Sequence, residues 1–414
     1  SPHWRNFFED GTTLDLHMEP EAMKAELAKL PGDVEKHARE LEAFLTYARA
    51  QYAITEEGYF AKGLDNLIEF LRYYGFKRIL TEIDFKRTMS GAIEDQITDP
   101  KLRSIFEYFI KYVGSSAKDA PGYMNLMPII QFDYDLWYVS GGMYNLARGL
   151  GKLLEEMGVE VLLNQDVSEI TKNGNQVTGV RTADGTEHKA DIVVSNMEVI
   201  PAHQKLLQSP KRILRRLRKF EPACSGLVVH LGTDVVYPQL AHHNFFYSKD
   251  QSKHFDTVFQ QGKLPEDPTI YLVAPTRTDP SKAPEGCDNI KILPHIPPID
   301  PENPLTQEDY LEFRERVLDK LERMGLTDLR QHSIVEDTLT PLDLHEMYRS
   351  NRGAIYGVVT NWKRNNGFKA PKKATGYKNL WFTGGSVNPG GGMPMVILCG
   401  QKVADRIAQA EGIA

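Results

Sequence analysis

Apolar residues recur at helical spacing through much of residues 33–140. In the segment FAKGLDNLIEFLRYYGFKRIL they follow one another at spacings of four, three, one and three, which predicts a single apolar stripe along one helix. The stripe consists of Phe60, Leu64, Leu67, Ile68 and Leu71. Aromatic side chains are frequent in the same region. They indicate either an aromatic core between packed helices, or a hydrophobic tunnel or lid that faces a membrane.

A glycine doublet that begins at Gly141 changes this pattern. The segment GGMYNLARGLGKLLEEMG predicts a helix that opens at the doublet, carries a leucine-rich face and stops at Gly158. Apolar residues alternate over residues 159–163, which predicts a strand, and a hairpin turning at residues 184–185 follows. The unbroken apolar triplet at 192–194 then predicts a strand that is buried on both faces.

The segment WFTGGSVNPGGGMPMVILCG, residues 381–400, joins a predicted buried strand at 380–382 to a helix that begins near Pro394. Its glycines let the backbone approach a ligand closely. The N-terminus of the helix offers free N–H donors and about half a positive charge, which suits a phosphate or a flavin that gains negative charge. The predicted buried face of this helix consists of Val396, Cys399, Val403 and Ile407.

Strand patterns occupy most of the remaining chain. WRNFFEDGTTLDL predicts two strands joined at Asp10-Gly11. Residues 222–375 mix several strands with one long helix, QEDYLEFRERVLDKLERMG. Between these parts, KRILRRLRK at 211–219 predicts a basic helix, which is either a solvated helix face or an amphipathic surface for anionic lipid headgroups.

Composition narrows the class of protein. A length of 414 residues predicts roughly two or three domains, and 41% hydrophobic with 25% charged residues is ordinary for a soluble globular protein. The net charge of −7 argues against nucleic-acid binding. The three cysteines are far apart and form no disulfide framework, so a reduced cytoplasmic setting is the default. No apolar run is long enough for a membrane-spanning helix.

The histidines give no pattern of metal ligands. His242 and His243 lack a third ligand at a suitable spacing, and His345-Glu346 lacks the second histidine of an HExxH motif. We therefore expect no metal ion.

Two parts of the chain together resemble the flavin-binding halves of the amine oxidase and phytoene desaturase superfamily. The first is the predicted helix, strand, hairpin and strand that follow the glycine doublet at Gly141, and the second is the strand, glycine loop and helix near the C-terminal end. Longer segments are similar to the bacterial C30 carotenoid oxidases of the diaponeurosporene oxygenase type, across essentially the whole chain. Carotenoid desaturases more often carry a His-Pro-Gly-Ala-Gly type of loop, so Asn388 and the glycines at 390–392 favour the oxidase branch. The similar segments are NMEVIP (196–201), YPQLAHHNFF (237–246), RSNRGAIYGVV (349–359) and GGSVNPGGGMPMV (384–396).

The resemblance implies an α/β fold of the two-domain FAD-dependent oxidoreductase kind, with a Rossmann-like FAD domain and a mixed-sheet substrate domain under a helical cap. No strand in the chain is followed by a GxGxxG turn, so we expect the N-terminal βαβ unit that holds the FAD pyrophosphate to be missing from this sequence, together with most of its cofactor affinity. The expected parts are a substrate-domain hairpin (1–30), a membrane-facing helical cap (31–140), the FAD domain (141–200 and 376–414) and the substrate domain (201–375).

For activity, the resemblance implies FAD-dependent oxidation of the terminal methyl group of a linear C30 carotenoid to an aldehyde or acid. The enzyme would be peripheral on the inner, cytoplasmic face of a bacterial membrane, where so insoluble a substrate resides. A C30 carotenoid desaturase and a non-catalytic remnant that only binds lipid or a partner are the alternatives. The sequence leaves the oligomeric state open.

The resemblance also implies site residues. Asp99 and Arg103 resemble an Asp-x-x-x-Arg segment near the flavin; the favoured alternative is structural, a helix N-cap with an i,i+4 ion pair. Gly353 and Tyr356 line the substrate side of the flavin or simply pack in a strand. The expected cofactor-binding residues are Val167, Gly384, Gly385, Ser386, Asn388, Pro389, Gly391, Gly392, Met393, Pro394 and Met395.

Overall fold

A computed structural model describes residues 2–413 of the chain. The strands are β1 (Trp4–Phe7), β2 (Thr13–Leu16), β3 (Val167–Asn173), β4 (Gln176–Thr182), β5 (Glu187–Lys189), β6 (Val193–Ser195), β7 (Ser225–Gly226), β8 (Val228–Thr233), β9 (His243–Phe246), β10 (Ile270–Val273), β11 (Asp288–Ile296), β12 (Ser333–Leu339) and β13 (Leu380–Phe382). The helices are α1 (Pro20–Leu27), α2 (Val34–Thr55), α3 (Leu67–Thr81), α4 (Met89–Glu94), α5 (Pro100–Tyr108), α6 (Met127–Tyr134), α7 (Tyr144–Glu156), α8 (Val199–Pro201), α9 (Lys211–Leu217), α10 (Gln251–Phe255), α11 (Gln307–Arg323), α12 (Leu329–His332), α13 (Pro341–Tyr348), α14 (Trp362–Asn365) and α15 (Met393–Glu411).

A large mixed sheet runs in the order β12-β8-β11-β10-β9-β1-β2, with β7 paired to β11. The hairpin of β1 and β2 forms around the predicted Asp10-Gly11 turn, which confirms that prediction. β1 pairs in parallel with β9, while the other strand pairs of this sheet are antiparallel. The N-terminal hairpin therefore extends the sheet that residues 225–339 form.

Successive side chains of β9 point to opposite faces of this sheet, and both faces are covered by other elements. Phe245 packs with Phe106 of α5 among the helices of residues 31–140, which we call the cap. Phe246 faces the opposite way and packs with Phe313 of α11. The sheet thus fixes the cap on one face and the long helix α11 on the other.

A second, smaller part of the fold surrounds β13. This strand pairs in parallel with β6, its three residues are buried as predicted, and α15 begins at Met393 with Pro394 in its first turn. Cys399 and Val403 of α15 pack into the same core. The predicted succession of buried strand, glycine loop and helix is confirmed.

The predicted single stripe through residues 60–71 is wrong. Phe60 ends a π-helical turn, and α3 begins only at Leu67, because the Asn66 side chain accepts the first free amides of a new helix. The buried face of α3 consists of Phe70, Tyr74 and Ile79, whereas Leu67, Ile68 and Leu71 are exposed. Among residues 2–413, no helix combines the length and the apolar character that a bilayer crossing requires.

Two strand predictions in the middle of the chain are also wrong. Residues 159–163 form no strand, and Val194 of β6 is 46% exposed rather than buried on both faces. Within residues 2–413, the only neighbour of β6 is β13, and no strand pairs with residues 159–163. Apolar runs predict buried strands only where neighbours are present on both sides.

Candidate active site

The segment of residues 384–395, which we call the loop, connects β13 to α15 and includes the first turn of that helix. Its first half packs against neighbouring backbone. A Cβ atom at Gly357 would lie 2.5 Å from the carbonyl oxygen of Gly385, and the φ of Gly357 is +73°. A Cβ atom at Gly384 would lie 2.5 Å from the side-chain oxygen of Asn196. Only glycine fits at either position, so the backbone itself forms the surface of the site.

Several amides of this loop remain available to a ligand. No backbone carbonyl of residues 2–413 accepts a hydrogen bond from the N–H groups of Gly385, Gly391, Met393 or Met395. The last two belong to the first turn of the 19-residue helix α15, whose dipole adds partial positive charge. Together these donors can bind oxygen atoms or a negative charge.

Two adjoining cavities lie beside the first half of the loop. The loop cavity, about 530 Å³, is lined by Gly384, Gly385 and Ser386. The Val167 cavity, about 610 Å³, is lined by Val167 and the end of β6. Asn196 and Tyr348 line both cavities. The fold therefore brings Val167 into one extended groove with the start of the loop.

A third cavity, which we call the apolar cavity, lies on the other half of the loop and measures about 290 Å³. Most of its remaining wall comes from the cap, including Tyr59, Phe60 and Tyr112, and the rest from Thr360 and Gly367. The loop thus contributes to two different sides of the site. The loop residues that line the apolar cavity are Pro389, Gly391, Gly392, Pro394 and Met395.

Asn388 lines none of these cavities and is 1% exposed. Its side-chain oxygen accepts from the Tyr59 hydroxyl at 2.7 Å and from the Lys369 amide at 2.9 Å. Its side-chain nitrogen donates to the carbonyl oxygens of Asp65, Lys369 and Ala370 at 3.1 to 3.3 Å. Asn388 therefore ties the loop to the cap.

A buried ionic cluster reinforces this tie. The Lys372 ammonium lies 2.6 Å from a carboxylate oxygen of Asp65, and both side chains are at most 2% exposed. Arg406 of α15 lies 3.1 Å from the other oxygen of Asp65 and 2.7 Å from Glu69. Each buried charge therefore has an opposite partner. Since Asp65 belongs to the cap, Lys372 to the segment before β13 and Arg406 to α15, the cluster joins these three parts of the fold.

Burial moves the pKa values of two groups near the loop towards neutral. Burial raises the pKa of Glu198, which lines the loop cavity, to about 7, although the carboxylate accepts from the Asn351 amide at 2.9 Å. Burial lowers the pKa of Lys369 to about 7, and its amine donates to the Val358 carbonyl. Groups of this kind can take up and release protons beside the loop.

Tyr356 lies against the loop through its backbone, since a Cβ atom at Gly391 would lie 3.1 Å from the Tyr356 carbonyl oxygen. Its hydroxyl is 3.3 Å from His295, whose other ring nitrogen is 3.1 Å from the Tyr108 hydroxyl. Gly353 has a φ of +70° and packs on the backbone of α13. The structure thus places Tyr356 nearer to the loop surface than Gly353.

Asp99 and Arg103 lie on α5 and line none of the three cavities. Asp99 caps the helix by accepting from the amides of Lys101 and Leu102, both at 2.9 Å. Arg103 donates to the Ile97 carbonyl, so the i,i+4 ion pair with Asp99 is not formed. A catalytic role for these two residues stays a prediction.

The histidines named in the sequence have protein partners. His242 bonds to Thr278 at 2.7 Å and His243 bonds to Tyr271 at 2.9 Å. One trio elsewhere, Asp15, His17 and Glu26, has ligand atoms within 4.8 Å of one another. Its carboxylates are paired with Arg5 and Lys29.

Several residues of the site were missed in the sequence. Glu198 and Gln131, each a polar residue in the apolar runs MEVI and MPIIQF, line the loop cavity and the apolar cavity respectively. A polar residue inside an apolar run was the available signal. Asp65 and Tyr59 gave none, because their partners are more than 300 positions away.

Glu198 makes stability depend on pH. Its pKa rises from about 4.5 in the unfolded chain to about 7, so the folded protein binds the extra proton between these values. The stability from this proton is full below pH 4.5 and is lost as pH rises through 7. We expect the free energy of unfolding of the wild type, relative to Glu198→Gln, to fall by about 2–3 kcal/mol between pH 4.5 and 7.5.

Urea unfolding at both pH values measures this difference. Glu156→Gln, in an exposed pair with Lys152, should show none of it. Parallel pH profiles for the wild type and Glu198→Gln would contradict the assignment.

Known proteins can now be compared with this chain. The family described as flavin containing amine oxidoreductase matches residues 3–408. A 4,4'-diapolycopene oxygenase of Methylomonas sp. is 56% identical over 98% of this chain and 81% of that protein. The 4,4'-diaponeurosporene oxygenase of Staphylococcus haemolyticus is 50% identical over 99% of this chain and 81% of that protein. The protein of the same name from Staphylococcus aureus is 50% identical over 99% and 82%.

Solved structures share the fold at low sequence identity. A redesigned putrescine oxidase superposes with a TM-score of 0.61 at 13% identity, over 98% of this chain and 81% of that chain. An oxidoreductase from Methanosarcina mazei gives a TM-score of 0.57 at 15% identity, over 84% of this chain and 74% of that chain. These likenesses confirm the predicted α/β oxidoreductase fold.

The family match also confirms the predicted flavin chemistry and the prediction that the protein is an oxidoreductase. The relatives confirm the resemblance that the four segments indicated. The chain belongs to the flavin-containing amine oxidoreductase family.

Proposed function

We propose that this protein is an FAD-dependent oxidase that converts the terminal methyl group of a linear C30 carotenoid into an aldehyde, with dioxygen as the oxidant. One methyl group and one dioxygen molecule give one aldehyde and one water molecule, so atoms and electrons balance. The names of the relatives that are 50–56% identical support this substrate class and this reaction.

The observation that carries the proposal is the apolar cavity beside the glycine loop. Its walls are almost entirely hydrocarbon and aromatic surface, which matches a polyene that offers no polar group. A dry cavity of roughly 150 Å³ binds benzene, so one of about 290 Å³ holds about twelve carbon atoms. It therefore fits one end of a C30 chain, and the rest of the chain must leave through the opening.

The other side of the loop fits a flavin dinucleotide. The free amide of Gly385 lies at the groove and suits an oxygen atom or the negative charge of a flavin ring, and the groove continues to Val167. In this proposal Gly384, Gly385 and Ser386 hold the ring, while Asn388 fixes the loop from behind. When bound, the flavin supplies a two-electron acceptor for oxidation of the substrate.

The residues of the protein would position the substrate, exclude water from it and exchange protons. Tyr59, Phe60 and Tyr112 exclude water from the substrate end, which protects reactive species from hydrolysis. Glu198 lines the loop cavity, and burial raises its pKa to about 7, so it could exchange protons with a group held in the groove.

Product analysis tests the proposal. Flavin-loaded protein given diaponeurosporene and dioxygen should form a product that has gained one oxygen atom and lost two hydrogen atoms, as measured by mass spectrometry. Diapophytoene provides the comparison substrate. Products with added double bonds alone would make the protein a desaturase, and no product from either substrate would support a non-catalytic role.

We also propose that the protein contacts the inner face of the cell membrane through α3. Gly75 has non-helical φ and ψ angles and divides α3 into two segments. The first segment exposes Ile68 (62%) and the basic Arg72, and the second exposes Phe76 (70%) and the basic Lys77. The buried face of α3 packs on Tyr59, a wall of the apolar cavity. A polyene that leaves lipid at α3 would therefore be close to the cavity.

Sedimentation with vesicles that contain anionic lipid tests this contact. Ile68→Ser with Phe76→Ser should weaken vesicle binding at least about tenfold, because two large apolar side chains no longer enter the lipid. Ile334→Ser with Val335→Ser, at equally exposed positions of β12, is the matched control and should bind like the wild type. Equal binding by all three proteins would contradict the α3 contact.

A further inference from the structure

Gln131 contributes a side-chain amide to the wall of the apolar cavity. It lies on α6, is 1% exposed and lines the cavity together with the apolar Met127 and Ile130. Neither its side-chain nitrogen nor its side-chain oxygen has a hydrogen-bond partner within residues 2–413. Most buried amides have partners, so this one requires an explanation.

A partner from a ligand would resolve the unpaired amide. Leaving both atoms of a buried amide unpaired costs free energy, whereas a leucine or methionine would fill the same space without that cost. The cavity is also lined by five residues with hydroxyl groups, Thr55, Tyr59, Tyr112, Tyr123 and Thr360. Within residues 2–413, none of these hydroxyl groups bonds to the Gln131 side chain, and the Tyr59 hydroxyl donates to Asn388 instead. A substrate that is only hydrocarbon does not supply it either.

Gln131 shares its cavity with the part of the loop where the proposed reaction occurs. Gly391, Gly392 and Met395 line the same space of about 290 Å³. An amide can donate to a carbonyl oxygen and accept from a hydroxyl group. It is therefore suited to an oxygen atom carried by the end of the polyene.

We propose that Gln131 binds the oxygen atom of a polyene whose end is already oxidised, as a primary alcohol or an aldehyde. This inference rests on the proposed function, in which the alcohol lies at the oxidation level between the methyl group and the aldehyde. Conversion of the alcohol removes two electrons and two protons, which the flavin accepts. By holding the alcohol, Gln131 keeps the intermediate at the loop until the aldehyde forms.

The chemistry also sets specificity. A site with a buried amide discriminates strongly against a ligand that leaves the amide unpaired. The protein should therefore prefer a polyene with a hydroxymethyl end over the same polyene with two methyl ends. Gln131 is, in this sense, a specificity residue for the second stage of oxidation.

Binding measurements test the inference without turnover. The flavin-loaded protein, with its flavin reduced and oxygen excluded, is titrated with a C30 polyene that has two methyl ends and with its monoalcohol. Changes in polyene absorbance give both dissociation constants. The wild type should bind the alcohol at least about fivefold more tightly than the hydrocarbon, and Gln131→Met should remove this preference.

Met124→Leu is the matched control, because it changes the cavity wall without changing its polarity. It should alter both dissociation constants together and keep their ratio. Gln131→Met should melt at or above the temperature of the wild type, since an unpaired buried amide is removed.

Two results would overturn the inference. One is an equal affinity of the wild type for the two ligands, which needs no variant at all. The other is a preference for the alcohol that Gln131→Met retains. If the wild type forms no oxygenated product from the hydrocarbon, the proposed function fails, while the ratio of dissociation constants still decides the role of Gln131.

Discussion

The buried amide of Asn388 holds the glycine loop between the cap and residues 369–370, which lie in the segment before β13. It accepts from Tyr59 and donates to the carbonyl oxygen of Asp65, two residues of the cap that are far away in the sequence. Asp65 in turn neutralises Lys372 and Arg406. A loop with so many glycines has large conformational freedom of its own, so its shape depends on these contacts.

Held in this way, the loop lines two different cavities of the site. Its first residues, from Gly384 to Ser386, line the groove that continues to Val167, and its later residues line the apolar cavity. In the proposed function, the groove would hold a flavin and the apolar cavity would hold the end of a polyene. The same contacts also couple the cap, which includes α3, to the reacting centre.

Sequence patterns predicted those elements whose information is local. The β1–β2 hairpin, the helix α11 and the strand-loop-helix at β13 and α15 follow from turn residues, caps and periodicity. The start of α3 and the state of residues 159–163 did not follow, because an Asn66 cap and the presence of strand neighbours decided them. In the site, the glycine loop was evident, whereas pairs such as Asp65 with Lys372 depend on distant segments.

The dissociation constant for flavin in Asp65→Asn tests most directly whether the cap shapes the loop. This substitution keeps the size of the side chain and leaves the buried Lys372 without its counter-charge. We expect Asp65→Asn to bind flavin at least about tenfold more weakly, with the far-ultraviolet circular dichroism of the protein unchanged. The exposed-pair variant Glu156→Gln should bind flavin like the wild type. Wild-type affinity for flavin in Asp65→Asn would contradict a role of the cap in shaping the loop.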